Sequence, residues 1–102
     1  SENPPSLEWA RLSGSVNVLS SGWKDILDTE ADYLRPHHLR AHSKHATGVK
    51  VKVTELRATG HSLEALVEHP SIPQKVWITL TPEILGFPGQ QLHLSIKKPS
   101  LE

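Results

Sequence analysis

The sequence predicts an all-β domain, a small antiparallel β-barrel or sandwich with one or two short helical turns. Three observations carry this. The run Val49-Lys50-Val51-Lys52-Val53 alternates with period two, valines on one face and lysines on the other, as a half-buried strand requires. Similar short runs recur along the chain, separated by segments rich in Gly, Pro and Ser. Only one helix start is well marked. A closed or nearly closed barrel is how strands this short hide their edges.

Taken in order, residues 1–8 (Ser-Glu-Asn-Pro-Pro-Ser-Leu-Glu) read as a linker that follows another domain, because adjacent prolines among small polar residues build no core. The domain is expected over residues 9–98, with 99–102 a tail whose Leu101-Glu102 reads as a remnant of cloning. The chain has no methionine, so Ser1 is not expected to be a natural translation start.

From Arg11 to Ser20, Val16 and Val18 flank polar Asn17 as in a strand with the valines inward. Ser20-Ser21-Gly22 reads as a turn, Lys24 to Leu27 as a short strand, and Glu30 to Arg35 as another. The Val49–Val53 strand turns at Thr59-Gly60-His61-Ser62 into Leu63 to Val67, a hairpin. Val76 to Leu80 and Gln91 to Lys97 are the remaining strands; the last sets Leu92, Leu94 and Ile96 against His93, Ser95 and Lys97. Thr81, Pro82 and Glu83 mark a helix start, and Gly86 its stop, so Pro82 to Leu85 is expected to form about one turn of helix. Pro88-Gly89 then turns the chain into the last strand. The predicted core includes Val51, Val53, Leu66, Ile78, Leu94 and Ile96.

Eleven basic and eleven acidic residues give no net charge, so nothing draws the whole chain to nucleic acid or to an anionic membrane. No apolar run approaches the roughly 18 residues of a membrane span. The absence of cysteine excludes disulfides and thiolate metal sites and agrees with a reducing compartment.

Catalytic signatures are missing. There is no Gly-x-x-x-x-Gly-Lys-Ser/Thr loop to cradle phosphates, no Gly-x-Ser-x-Gly elbow and no His-Glu-x-x-His pair. The domain is therefore expected not to be an enzyme and to need no cofactor. Four of seven histidines crowd into one stretch, His37, His38, His42 and His45. At spacings of four and three, His38, His42 and His45 would share a helix face and suit a metal. Pro36 and Gly48 bracket the segment, however, and its apolar residues make a weak helix face, so a polar surface loop is the plainer reading. Arg35, Arg40, Lys44, Lys50 and Lys52 form a basic run, but too few aromatics accompany it for base stacking, and no nucleic-acid partner is expected.

The element Tyr33-Leu34-Arg35-Pro36-His37-His38 resembles the Arg-Pro-His motif of the transport-associated OB (TOBE) domain. That domain ends the ATP-binding subunits of bacterial ABC importers, especially those for sulfate and thiosulfate. Leu12-Ser13-Gly14-Ser15-Val16-Asn17-Val18 resembles its first strand, and Ile84 to Leu92 its closing Pro-Gly turn. His38 stands where an acidic residue is usual.

The resemblance implies an all-β fold, a small OB-like antiparallel β-barrel with one or two short helical turns. It further implies a non-catalytic regulatory or assembly domain in the cytoplasm at the inner membrane face, touching the membrane only through the transporter. A second copy of the ATP-binding subunit is the implied partner, with a small oxyanion or a regulatory protein as a further one. The free-standing alternative is an OB-like module that binds a small anion or nucleic acid.

Arg35, His37 and His38 are the candidate binding residues. Pro36 holds Arg35 extended, and a guanidinium presents a rigid fork to an oxyanion or a carboxylate. Two roles are open: contact with an anion or partner, or a brace at a barrel corner, with Arg35 paired to a local carboxylate such as Asp32 or Glu55.

Overall fold

The computed structural model describes residues 16–43 and 48–97. The element order is β1 (Asn17–Val18), α1 (Ser21–Leu27), β2 (Tyr33–Leu34), a 3-10 turn (Pro36–His38), β3 (Leu39–His42), β4 (Val49–Ala58), β5 (Leu63–His69), β6 (Ile72–Leu80) and β7 (Gln91–Ile96). β1 and β2 pair with each other, and the other strands form one five-stranded sheet in the order β3-β7-β4-β5-β6, antiparallel at every step.

The mainly antiparallel class expected from the period-two runs is what forms. The sheet curls until its two edge strands, β3 and β6, lie beside each other. No ladder joins them, so the barrel is left open at that seam, an arrangement roughly compatible with an OB-like fold.

The core follows the alternation. Val51 and Val53 of β4, Ala65 and Val67 of β5, Val76, Ile78 and Leu80 of β6, and Leu92 and Leu94 of β7 point inward. Leu39 and Ala41 of β3 complete that layer. Leu66 was expected in the core but is only half-buried. Ala65 and Val67 take the inward positions of β5, so period two sends Leu66 to the other face beside Trp77. A register shift between Val53 and Glu55 marks a bulge that bends β4. Ile96, also placed in the core by its alternation, is partly buried at the end of β7.

Four further expectations change. Lys24–Leu27 is not a strand but the second half of α1. The Ser20 side chain accepts from the Trp23 N–H at the helix start, and Trp23 and Leu27, four apart, face the sheet. Asp28, left-handed at φ 57°, ends it. The strand expected over Glu30–Arg35 shrinks to Tyr33–Leu34. The turn of helix expected at Pro82–Leu85 is a hydrogen-bonded turn, closed by Ile84 N–H to Thr81 O at 3.0 Å. Thr81 does not cap it, for its hydroxyl donates to the Glu83 carboxylate at 2.6 Å.

The fourth change inverts the first strand. Asn17 is buried and Val18 exposed, because Asn17 uses its side chain as a piece of backbone. Its Nδ2 donates to Trp77 O at 2.7 Å and its Oδ1 accepts from Trp77 N at 2.8 Å. Gln74 repeats the device: Oε1 accepts from Ser20 N at 2.9 Å and Nε2 donates to Val18 O at 2.5 Å. Trp23, fully buried, adds Nε1–H to Gln74 O at 2.8 Å. The segment before α1 is thus fastened along the free edge of β6 by side-chain amides from both partners, Asn17 from the segment and Gln74 from the strand.

Candidate functional site

The chain between Pro36 and Gly48 is not the plain surface loop expected of it. Pro36 is buried and opens the 3-10 turn, and Leu39–His42 continues as β3, with Leu39 and Ala41 inward. Lys44 and His45 lie outside the described residues.

The turn brings Arg35, His37 and His38 into one corner. Arg35 is extended at φ −79°, ψ 156°, as the following proline demands. Its N–H donates to Nδ1 of His38 at 3.2 Å, and its carbonyl accepts from the His38 N–H at 2.9 Å. The His37 and His38 rings sit 4.3 Å apart between centroids, tilted by 52°. The Lys97 N–H closes the corner onto His38 O at 2.8 Å. Partial burial holds the imidazole of His38 below its usual pKa, and the positive charges of His37, Arg35 and Lys97 push it the same way. Lys97 was missed in the sequence as a member of this group; only the return of β7 beside the 3-10 turn brings it there.

Of the carboxylates considered for Arg35, Asp32 takes the Lys24 ammonium at 2.5 Å, and Glu55 stands exposed on β4. Arg35 itself is half-buried and engaged by its surroundings.

The metal reading of His38, His42 and His45 loses its geometry. His42 lies four residues along an extended chain from His38, on the order of 11–13 Å at strand rise, rather than one helical turn away. Among the described residues no three His, Cys, Asp or Glu side chains gather to hold a metal ion.

The corner opens onto a basic face. On β3, β7 and the first half of β4 the inward row is Ala41, Leu94 and Val51 with their neighbours, so Arg40, His42, His93, Ser95, Lys50 and Lys52 share the opposite face. His42 pairs with His93, and His93 with Lys50, in a single row across three strands. Lys52 pairs with Gln91 next to that row. The outward positions of these three segments carry no carboxylate. Glu83, whose carboxyl is held below the usual range first by the Thr81 hydroxyl and least by Arg40, lies at the rim.

Trp77 lies on the outer face of β5 and β6. The Arg57 guanidinium stacks 3.8 Å from its ring centroid, and Arg57 Nε and a terminal nitrogen reach Oε1 of buried Glu64 at 2.8 and 2.7 Å. This cluster is satisfied by its own members and offers no stacking platform.

No family model, curated protein or solved structure matches the chain.

Proposed function

We propose that this chain is a non-catalytic regulatory and assembly domain of the kind that closes the ATP-binding subunit of an ABC importer for sulfate, thiosulfate or a related oxyanion. The observation that supports this reading is the corner at Arg35–His38. The motif residues behind the resemblance form a compact unit there, with buried Pro36 as its foot and backbone bonds between Arg35 and His38. Asn17, the other motif residue, has a definite task in clamping β6.

On this reading the domain works by contacts that differ between the open and closed states of a paired transporter subunit in the cytoplasm. Only such a difference shifts that equilibrium. The chain itself hydrolyses no ATP. The coding sequence ahead of Ser1 tests the reading directly. An in-frame ATPase with a Walker motif supports it, and a start codon with no ATPase overturns it.

A second reading has its own support. Arg35, His37 and Lys97 gather around His38 at one corner and bring donors and positive charge together, as a free-standing module for a small oxyanion requires.

A further inference from the structure

The whole chain has no net charge, yet the outward side of β3, β7 and early β4 carries Arg40, Lys50 and Lys52 with two histidines and no carboxylate. Neighbouring strands lie about 4.8 Å apart and alternate residues about 6.7 Å apart. The row His42–His93–Lys50 is thus on the order of 10 Å long, with Arg40 and Lys52 one step to either side of it. A single tetrahedral anion does not span that grid.

Beside the row lies a cleft of ≈ 240 Å³ whose walls combine apolar surface, including Val51 and Pro70, with the polar groups of Lys50, Lys52, Gln91, Glu68 and His69. At roughly 30 Å³ for each water, it has room for a short chain of phosphates. Four of its lining residues offer donors: the Lys50 and Lys52 ammonium groups, the Gln91 amide and the His69 ring. His69 Nδ1 accepts from Ser71 N at 3.0 Å, which leaves Nε2 as the protonated, donating nitrogen of the neutral ring. Glu68, opposite Lys52, is the one carboxylate of the cleft. The Nδ1 atom of His93, at the centre of the row, is buried and has no hydrogen-bond partner.

We propose that the Lys50–Lys52 cleft and the adjoining His42–His93 row form a binding site for a short oligophosphate anion. Recognition is by charge and donor spacing. The outward positions of these strand segments carry no aromatic side chain other than histidine, so a nucleoside attached to the phosphates adds little. The site is separate from the Arg35 corner and does not rest on the importer reading.

Titration calorimetry of the full chain at low salt, together with amide chemical-shift mapping, tests this with tripolyphosphate, ATP and sulfate as probes. Tripolyphosphate is expected to bind with shifts at Lys50, Lys52, Gln91 and His93, ATP no more tightly, and sulfate at least tenfold more weakly. The double variant Lys50→Gln/Lys52→Gln is expected to weaken tripolyphosphate by about tenfold or more, as lost charge-assisted bonds imply. Glu68→Gln is expected to strengthen it. Lys24→Gln, which removes charge away from the face, is expected to leave it unchanged. Thermal melts of each variant separate lost binding from lost folding. No tripolyphosphate binding, equal loss in Lys24→Gln and in the double variant, or a marked preference for ATP would each overturn the proposal.

Discussion

Asn17 holds Trp77 by both polar groups of its backbone, donating to the carbonyl at 2.7 Å and accepting from the N–H at 2.8 Å across sixty positions of sequence. The pair replaces a ladder that β6 lacks on that side. Asn17→Asp keeps the acceptor and loses the donor, and sets a carboxylate against a carbonyl. Asn17→Ala strands both groups of Trp77. An unsatisfied buried group costs about 1–3 kcal/mol. At roughly 4–8 °C per kcal/mol, both variants are expected to melt several degrees below the wild type. Equal melting temperatures would show that the clamp contributes nothing.

The His38 bond to Arg35 N–H requires a neutral ring, since Nδ1 must accept. Burial and the nearby cations lower the folded pKa of His38 below its unfolded value. The unfolded chain therefore takes up the proton first as pH falls. This contribution to stability is present above about pH 6.5 and is lost on acidification below it. His38→Asn supplies a non-titrating acceptor at a similar place. Its melting temperature is expected to vary less between pH 7 and 5 than that of the wild type. An unchanged pH profile would refute the assignment.

Arg35 decides between brace and anion contact. As a brace, half-buried and engaged, it is expected to cost about 1.5–2 kcal/mol when replaced by alanine, the lower end for bonds to a charged group. Sulfate should then add only its general salting effect. Should sulfate raise the wild-type melting temperature, fluoride not, and Arg35→Ala abolish the rise, the brace gives way to the anion reading.

Arg57 and Glu64 form an ion pair of unequal exposure, with side chains 38% and 10% accessible. Removing the arginine alone leaves a mostly buried carboxylate without its main partner. Arg57→Ala is expected to cost roughly 1–3 kcal/mol, moderated by solvent at the arginine end. Arg57→Ala/Glu64→Ala should cost less than the sum of the two single changes. A double-mutant cycle from chemical denaturation gives the coupling, and additivity would dismiss the pair as a stabilising unit.

Gly48 stands at φ +99°, and a Cβ there would run into the carbonyl oxygen of Leu94. Neither the conformation nor the backbone contact tolerates a side chain. Gly48→Ala is expected to destabilise by at least about 1–3 kcal/mol, read as a lower urea midpoint with an unchanged slope.

The strands were legible where one face is β-branched and the other charged, as in Val49–Val53, and where a turn residue is chemically forced, as at Gly89, which has φ +90°. What misled was local resemblance to a rule that tertiary contacts override. Val16-Asn17-Val18 has the alternation of a strand with inward valines, but the distant edge of β6 claims Asn17. Trp23 and Leu27 lie on a helix too short to show a period, and the Ser20 cap was its one local sign. The Arg35–His38 corner was visible as a motif. The His42–His93–Lys50 row was not, because its members come together only through the pairing of β3 and β4 on either side of β7.

The open seam between β3 and β6 has a consequence for hydrogen exchange. β4 and β5 have a strand on both sides, whereas β3 is four residues long and bonded to β7 alone. Its detachment breaks one short ladder and leaves the other ladders of the sheet whole. The amides of Leu39–His42 should therefore exchange through a local opening well before global unfolding, and those of Val51 and Val67 only with it. The molecule is then two cooperative units of unequal strength, a durable four-stranded slab and a flap along its margin that carries Arg40 and His42.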